Sequence, residues 1–192
     1  MAHSEAVRVP EPSVESTASG VHCGAITAGA LGAVGITIIL ITLGPALGLA
    51  TVSPWSPSGS APTTFGLVAG IWLIVTQWLS SGLGGYLAGR LREKWVGIRT
   101  DEIFFRDTAH GFLAWGLATV IVVALLTIGS VLAGAAAATA TTVTTATVTP
   151  EAAEAARKAA VSFSFYSSLS LLIGAFIGAV AGALGGYHRD ET

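Results

Sequence analysis

Charge is what this chain has least of. Asp, Glu, Lys and Arg make up 10% of its 192 residues, against roughly a quarter in an average soluble domain. Between Glu15 and Arg90 there is no charged side chain at all, and two further neutral runs follow, Thr108 to Pro150 and Ala159 to His188. Water is the wrong solvent for such stretches. A helix crossing the roughly 30 Å hydrocarbon core of a bilayer needs about 20 mostly apolar residues, and a charge at its centre costs about 2.5 to 3.5 kcal/mol on insertion scales. The neutral runs therefore read as membrane spans.

Other absences narrow the function. The formal net charge is only -2, which excludes nucleic acid as a partner, since phosphate binding needs a clustered basic face. The single cysteine, Cys23, cannot close an intrachain disulfide and reads as a small buried hydrophobe. With no second Cys and no closely spaced His pair there is no zinc pattern, and neither a metal nor a cofactor is expected. Nothing resembles a nucleophile with base and orienter, a paired carboxylate cleft or a phosphate loop, so the chain does not read as an enzyme. Its glycine runs lie inside apolar spans rather than between a strand and a helix.

What is present organises into four crossings. Residues 1–20 contain Pro10, Pro12 and three Glu and read as a flexible polar tail. They are acidic where a secretory signal would be basic. The spans are expected at about 23–49, 65–89, 109–133 and 162–187, an all-α integral membrane four-helix bundle. Pro45 should kink or end the first helix. A turn-rich loop with Pro54, Pro57 and Pro62 follows it, and Thr63 or Thr64 should cap the second. The third helix should start ahead of its span at Thr100-Asp101-Glu102, with Glu102 and Arg106 at i,i+4. The Ala/Thr segment 135–149 has no readable conformation. The fourth helix has the clearest start signal, Thr149 as N-cap, Pro150 at N1 and Glu151 at N2, and its first three turns should precede the span.

Five basic residues, Arg90, Arg92, Lys94, Arg99 and Arg106, fall in the loop between the second and third spans. With four crossings, Arg8 and Arg189 join them on one side, leaving Arg157 and Lys158 on the other. The positive-inside rule then puts the basic loop and both termini in the cytoplasm. Aromatic belts fit the same topology: Trp55, Phe163, Phe165 and Tyr166 outside, Trp95 and Tyr187 inside. Leu83-Gly84-Gly85-Tyr86 ends the second span and Leu184-Gly185-Gly186-Tyr187 ends the fourth, a pairing consistent with two duplicated transmembrane hairpins.

Small residues recur at helical spacing. Gly174, Gly178, Gly182 and Gly186 stand four apart, with Ser170 one turn earlier. Ser81, Gly85 and Gly89 form a shorter row on the second helix, Gly66 and Gly70 another, and Ala28 and Gly32 one on the first. Residues four apart share a helix face, so each row is a groove without side chains. In lipid, where little hydrophobic drive acts between helices, such grooves let backbones approach. They either close one bundle or leave a ridge for a second subunit.

Four polar residues gather at the mouth of the third helix: Arg90, Arg92, Asp107 and His110. Ionisable groups at membrane depth are expensive unless paired and point to function; a contact between Arg90 and Asp107 is expected, and His110 has the chemistry of a proton shuttle. Gln77 is the deepest strongly polar side chain, placed to hydrogen-bond across helices.

The pieces Ala25-Ile26-Thr27-Ala28-Gly29-Ala30, Gly44 to Leu49 with Pro45, Gly84-Gly85-Tyr86-Leu87-Ala88-Gly89-Arg90, and Thr108-Ala109-His110-Gly111 with Trp115 together resemble a family of uncharacterised proteobacterial four-helix inner-membrane proteins, some labelled PhnA-like. The resemblance covers residues 21 to 135, with the fourth helix matching by position. It implies a multi-pass protein of a Gram-negative inner membrane and no activity. The expected function is non-enzymatic: a small oligomer or an accessory subunit of a membrane complex, in contact with lipids and with itself or another membrane protein. The alternative is a channel or transporter subunit for an ion or small solute, its pathway between protomers lined by Gln77, Asp107 and His110. A membrane-embedded chain should stay in the pellet when cell membranes are washed with alkaline carbonate; recovery in the supernatant without detergent would refute the assignment.

Overall fold

The computed structural model describes residues 20–50, 62–94, 99–140 and 149–191. They form four helices: α1 (Cys23–Ala50), α2 (Pro62–Arg90), α3 (Thr100–Ala140) and α4 (Pro150–Asp190). All four are long and apolar enough to cross a membrane, and the protein is an all-α, multi-pass helical bundle. The tail, Trp55 and Trp95, and the middle of the Ala/Thr segment lie outside the described residues, and 135–140 of that segment continue α3.

Local signals explain the start of α4 in full and that of α3 in part. Thr149 caps α4 as expected: its hydroxyl oxygen accepts the Ala152 N–H at 3.3 Å, and Pro150 follows at the first helical position. Beyond the cap, Glu154 pairs with Arg157 at 2.8 Å and with Lys158 at 3.6 Å on an exposed face. α3 takes Thr100 as its first helical residue, one position earlier than the expected Thr cap implies, with Glu102 and Arg106 joined at 2.6 Å. Pro45 does not end α1, which continues to Ala50. Cys23 is exposed, contrary to its reading as a buried hydrophobe, because it opens α1 at the bundle rim.

The helices run up, down, up, down. The start of α1, the end of α2, the start of α3 and the end of α4 meet at one end, where packing is tightest. α2 and α4 make the most extensive contact, α3 leans on α4 and α1 on α2, while α1 and α4 do not touch among the described residues. Glycine sets these approaches. A Cβ at Gly85 would overlap the Gly178 carbonyl and lie 2.9 Å from the Gly178 Cα; one at Gly89 would overlap the Gly182 carbonyl and lie 2.9 Å from the Gly186 nitrogen. From α3, Gly111 faces the Gly178 carbonyl and the Gly182 Cα, the latter at 2.8 Å from its would-be Cβ. α4 is thus wedged between α2 and α3 with backbone against backbone.

On α1 the packing row is not Ala28 and Gly32 but Ala25, Gly29, Ala33 and Thr37, all buried. Gly29 meets Gly84 and Ala88 of α2, whereas Gly32 touches only the Leu87 side chain. Ala30 and Val34, one position round, meet Ala118, Leu117 and Ile121 of α3. Two hydrogen bonds cross between helices in this region, from Trp72 Nε1 to the Leu40 carbonyl at 2.9 Å and from Ser170 Oγ to the Leu73 carbonyl at 3.1 Å.

The matching Leu-Gly-Gly-Tyr segments are used in opposite senses. Gly84 faces α1 and Gly85 faces α4, but Gly185 faces Tyr86 of α2 and Gly186 faces Asp107 of α3. With α1 and α4 apart while α2 and α3 touch, a two-fold relation between hairpins is not kept in the packing.

The opposite end is open. Val123 to Ala133 of α3 and Glu151 to Phe165 of α4 are exposed at every position, so no face of either stretch is covered by the described residues. Glycines sort by this geometry. We expect Gly29→Ala to cost about 1 to 3 kcal/mol by overpacking. Gly35→Ala, where a Cβ meets nothing within 4 Å, should be neutral or gain up to about 1 kcal/mol from the lower backbone entropy of alanine. Reversible unfolding in mixed micelles measures both, and equal effects would contradict the packing described.

Candidate functional site

The tight end is built round one carboxylate. Asp107, in the second turn of α3, is 2% exposed, and Arg92 and Arg189 beside it are 2% and 8% exposed. Asp107 Oδ1 accepts from Arg92 Nε, and Arg189 Nη1 lies 3.6 Å from the same oxygen. Arg189 also donates to the Gly89 carbonyl at 3.1 Å and holds the Asp190 carboxylate at 3.0 Å. Glycine makes the room: a Cβ at Gly186 would run into the Asp107 carboxylate, and one at Gly182 would stand 2.5 Å from the Asp107 carbonyl. Two guanidinium groups converging on one desolvated carboxylate join α3, α4 and the end of α2.

The expected contact between Arg90 and Asp107 is replaced by that with Arg92. Helix geometry explains the difference, because residues two apart point to nearly opposite sides of a helix and α2 ends at Arg90. Arg92, in the bend beyond the last turn, is free to fold back over the bundle. Arg90 is half-buried, with its backbone nitrogen against Gly185 and its Nη1 buried without a hydrogen-bond partner.

His110 is 1% exposed and both ring nitrogens are engaged. Its Nε2 accepts the backbone N–H of His22 at 2.9 Å, so Nε2 carries no proton. The proton is then on Nδ1, which donates to the Arg106 carbonyl at 2.6 Å. This neutral imidazole fastens the residue before α1 to α3. Serving as a shuttle would require breaking the His22 bond, and His110 faces a groove lined by Val21, Glu102, Phe105 and Arg106 rather than the bundle centre.

Gln77 lies elsewhere. With Thr37, Ser80, Ser81, Trp115 and Thr119 it lines a cavity of about 100 Å³ to which all four helices contribute. Asp107 and His110 are not on its wall, so the three residues expected along one pathway occupy separate places. The row Gly174, Gly178, Gly182 and Gly186 is buried throughout, as are Ser81, Gly85 and Gly89. Both rows are taken up inside one bundle, and neither leaves a ridge for a second subunit.

Arg189, His22 and Trp115 take part in contacts that the sequence reading did not assign to them. Arg189 follows Gly186 by three residues and so continues the glycine face, a signal present in the spacing. His22 had none, since its part is played by a backbone N–H. Comparison with family models, with curated proteins and with solved structures finds no match for this chain.

Removing Asp107 strands two buried cations. We expect Asp107→Ala to destabilise the bundle by about 3 to 5 kcal/mol. Exchanging the charges, Arg92→Asp with Asp107→Arg, should recover part of that loss, while the same exchange at Arg90 and Asp107 should recover none. Unfolding midpoints of the single and double variants measure this, and rescue by Arg90 alone would contradict the pairing.

Proposed function

We propose that the chain is an inner-membrane protein of a Gram-negative bacterium, with both termini and the basic loop in the cytoplasm, that works by contact as a small oligomer or an accessory subunit of a membrane complex. The observation that carries this reading is the open end. Val120, Leu126, Val131 and Leu132 of α3 are 56 to 66% exposed, and Phe163 and Phe165 of α4 are 63% and 64% exposed. At the Asp107 end the helices pack closely, whereas Val123 to Ala133 of α3 and Val161 to Phe165 of α4 are covered by none of the described residues. Because the glycine rows are spent inside the bundle, association rests on these larger apolar side chains, packed by van der Waals contact. The orientation rests on the distribution of Lys and Arg, and the Gram-negative inner membrane on the family resemblance.

A second reading, the uncharged-solute form of a conduit subunit for an ion or small solute, is favoured by the cavity at Gln77, whose wall carries no charged side chain. A transporter places its site near the bilayer midplane, and Gln77 and Ser81 stand near the middle of the apolar span of α2.

Purification in nanodiscs, with particle mass and co-purifying proteins recorded, tests the first reading. We expect a mass above that of one chain, reduced to a single chain by Leu126→Ala with Val131→Ala. A single-chain mass without any bound partner would overturn it, and flux of solute in liposomes would favour the second.

A further inference from the structure

The cavity at Gln77 contains a specific imbalance. The Trp115 indole N–H is buried without a hydrogen-bond partner, and among the described residues the side chains of Gln77, Ser81 and Thr37 make no hydrogen bond. Ser80 and Thr119 on the same wall spend their hydroxyl protons on their own helix, on the Gln77 and Trp115 carbonyls at 3.3 and 2.9 Å, which leaves oxygen lone pairs facing inward. Gly174 supplies space. Its absent Cβ would stand 2.5 Å from Gln77 Nε2 and 2.8 Å from Trp115 Nε1, so the Gln77 amide and the Trp115 indole both lie against the bare backbone of α4.

Polar groups in a bilayer core have no water to fall back on, and leaving them unsatisfied is costly. A cavity of about 100 Å³ has room for about three waters, each taking roughly 30 Å³, and such sites fill when polar partners are at hand. No Asp, Glu, Lys, Arg or His is on the wall, and an unpaired ion would forfeit its hydration there.

We propose that this cavity is a binding site for a small uncharged molecule that carries both hydrogen-bond donors and acceptors, of four to six heavy atoms by the volume cited above, which displaces bound water. Its acceptor takes the protons of Trp115 and Gln77; its donors reach the hydroxyl oxygens of Ser80, Ser81 and Thr119. The inference does not depend on the contact role proposed for the outer ends of α3 and α4.

The test uses the full chain in nanodiscs with ¹⁵N-labelled tryptophan, the Trp115 indole signal being assigned by its loss in Trp115→Phe. Urea and glycerol are the probes and choline chloride the charged control. We expect cross-relaxation between water and the Trp115 indole proton, a saturable shift of that signal with urea or glycerol, and no shift with choline. Gln77→Leu should weaken the apparent affinity about tenfold or more, the equivalent of about 1.4 kcal/mol. Ser81→Ala, which removes a single oxygen, serves as the second variant should Gln77→Leu fail to fold. Three results would overturn the proposal: a dry Trp115 proton, as when the Gln77 carbonyl turns to accept it; a water signal with no saturable shift; or equal shifts with choline.

Discussion

The closeness of three backbones governs this protein. Where α2, α3 and α4 meet, the carbonyls of Gly178 and Gly182 lie against Gly85, Gly89 and Gly111, and no side chain intervenes. In water such a contact would be a poor use of surface, because it buries few apolar atoms. In lipid the comparison changes, since hydrocarbon tails solvate Leu as well as a neighbouring helix does, and what remains to favour association is dense van der Waals packing and interhelical polar contact. The glycine rows supply the first directly and create the conditions for the second.

Those conditions explain where the polar groups sit. The Asp107 carboxylate occupies the volume that a side chain at Gly186 would fill, and Arg189 reaches the Gly89 carbonyl because α2 and α4 are so close. In the middle of the bundle the Gln77 and Trp115 side chains occupy the volume that a side chain at Gly174 would fill. One row of absent side chains therefore does three things along α4: it seats a buried ion pair at one end, brings backbones together at its centre and makes room for the Gln77 and Trp115 side chains beyond. The bundle gives up contact only past the cavity at Gln77, where the apolar end of α3 and the first turns of α4, charged from Glu151 to Lys158 and apolar beyond, are exposed.

Much of the fold was legible because the bilayer makes strict demands. Neutral runs of the right length gave four helices, and Thr149 with Pro150 gave the start of α4 to the residue. The α4 row was visible as a row, but its partners were not, since which neighbour fills a groove depends on the register and crossing of another helix. On α1 the same limit misdirected the reading: Ala28 and Gly32 contain a glycine at the right spacing, yet Ala25, Gly29 and Ala33 face α2. For the ion pair, everything turned on where α2 stops. One more turn of helix would have carried Arg92 round the axis and away from Asp107, and helix ends are the part of a sequence least constrained by hydrophobic pattern. The cavity was legible only in Gln77, because Thr37, Ser81 and Trp115 are ordinary residues until four helices bring them together.

Solid-state NMR on the protein in lipid bilayers, with its glycines labelled in both carbons, measures the central contact directly. Backbone approach of this kind should give carbon–carbon correlations between Gly85 and Gly178 and between Gly89 and Gly182, pairs on different helices with no side chain to relay the signal. If glycine correlations arose only within each helix, α2 and α4 would be held apart by side chains or lipid, and the ion pair and cavity that depend on their closeness would lose their foundation.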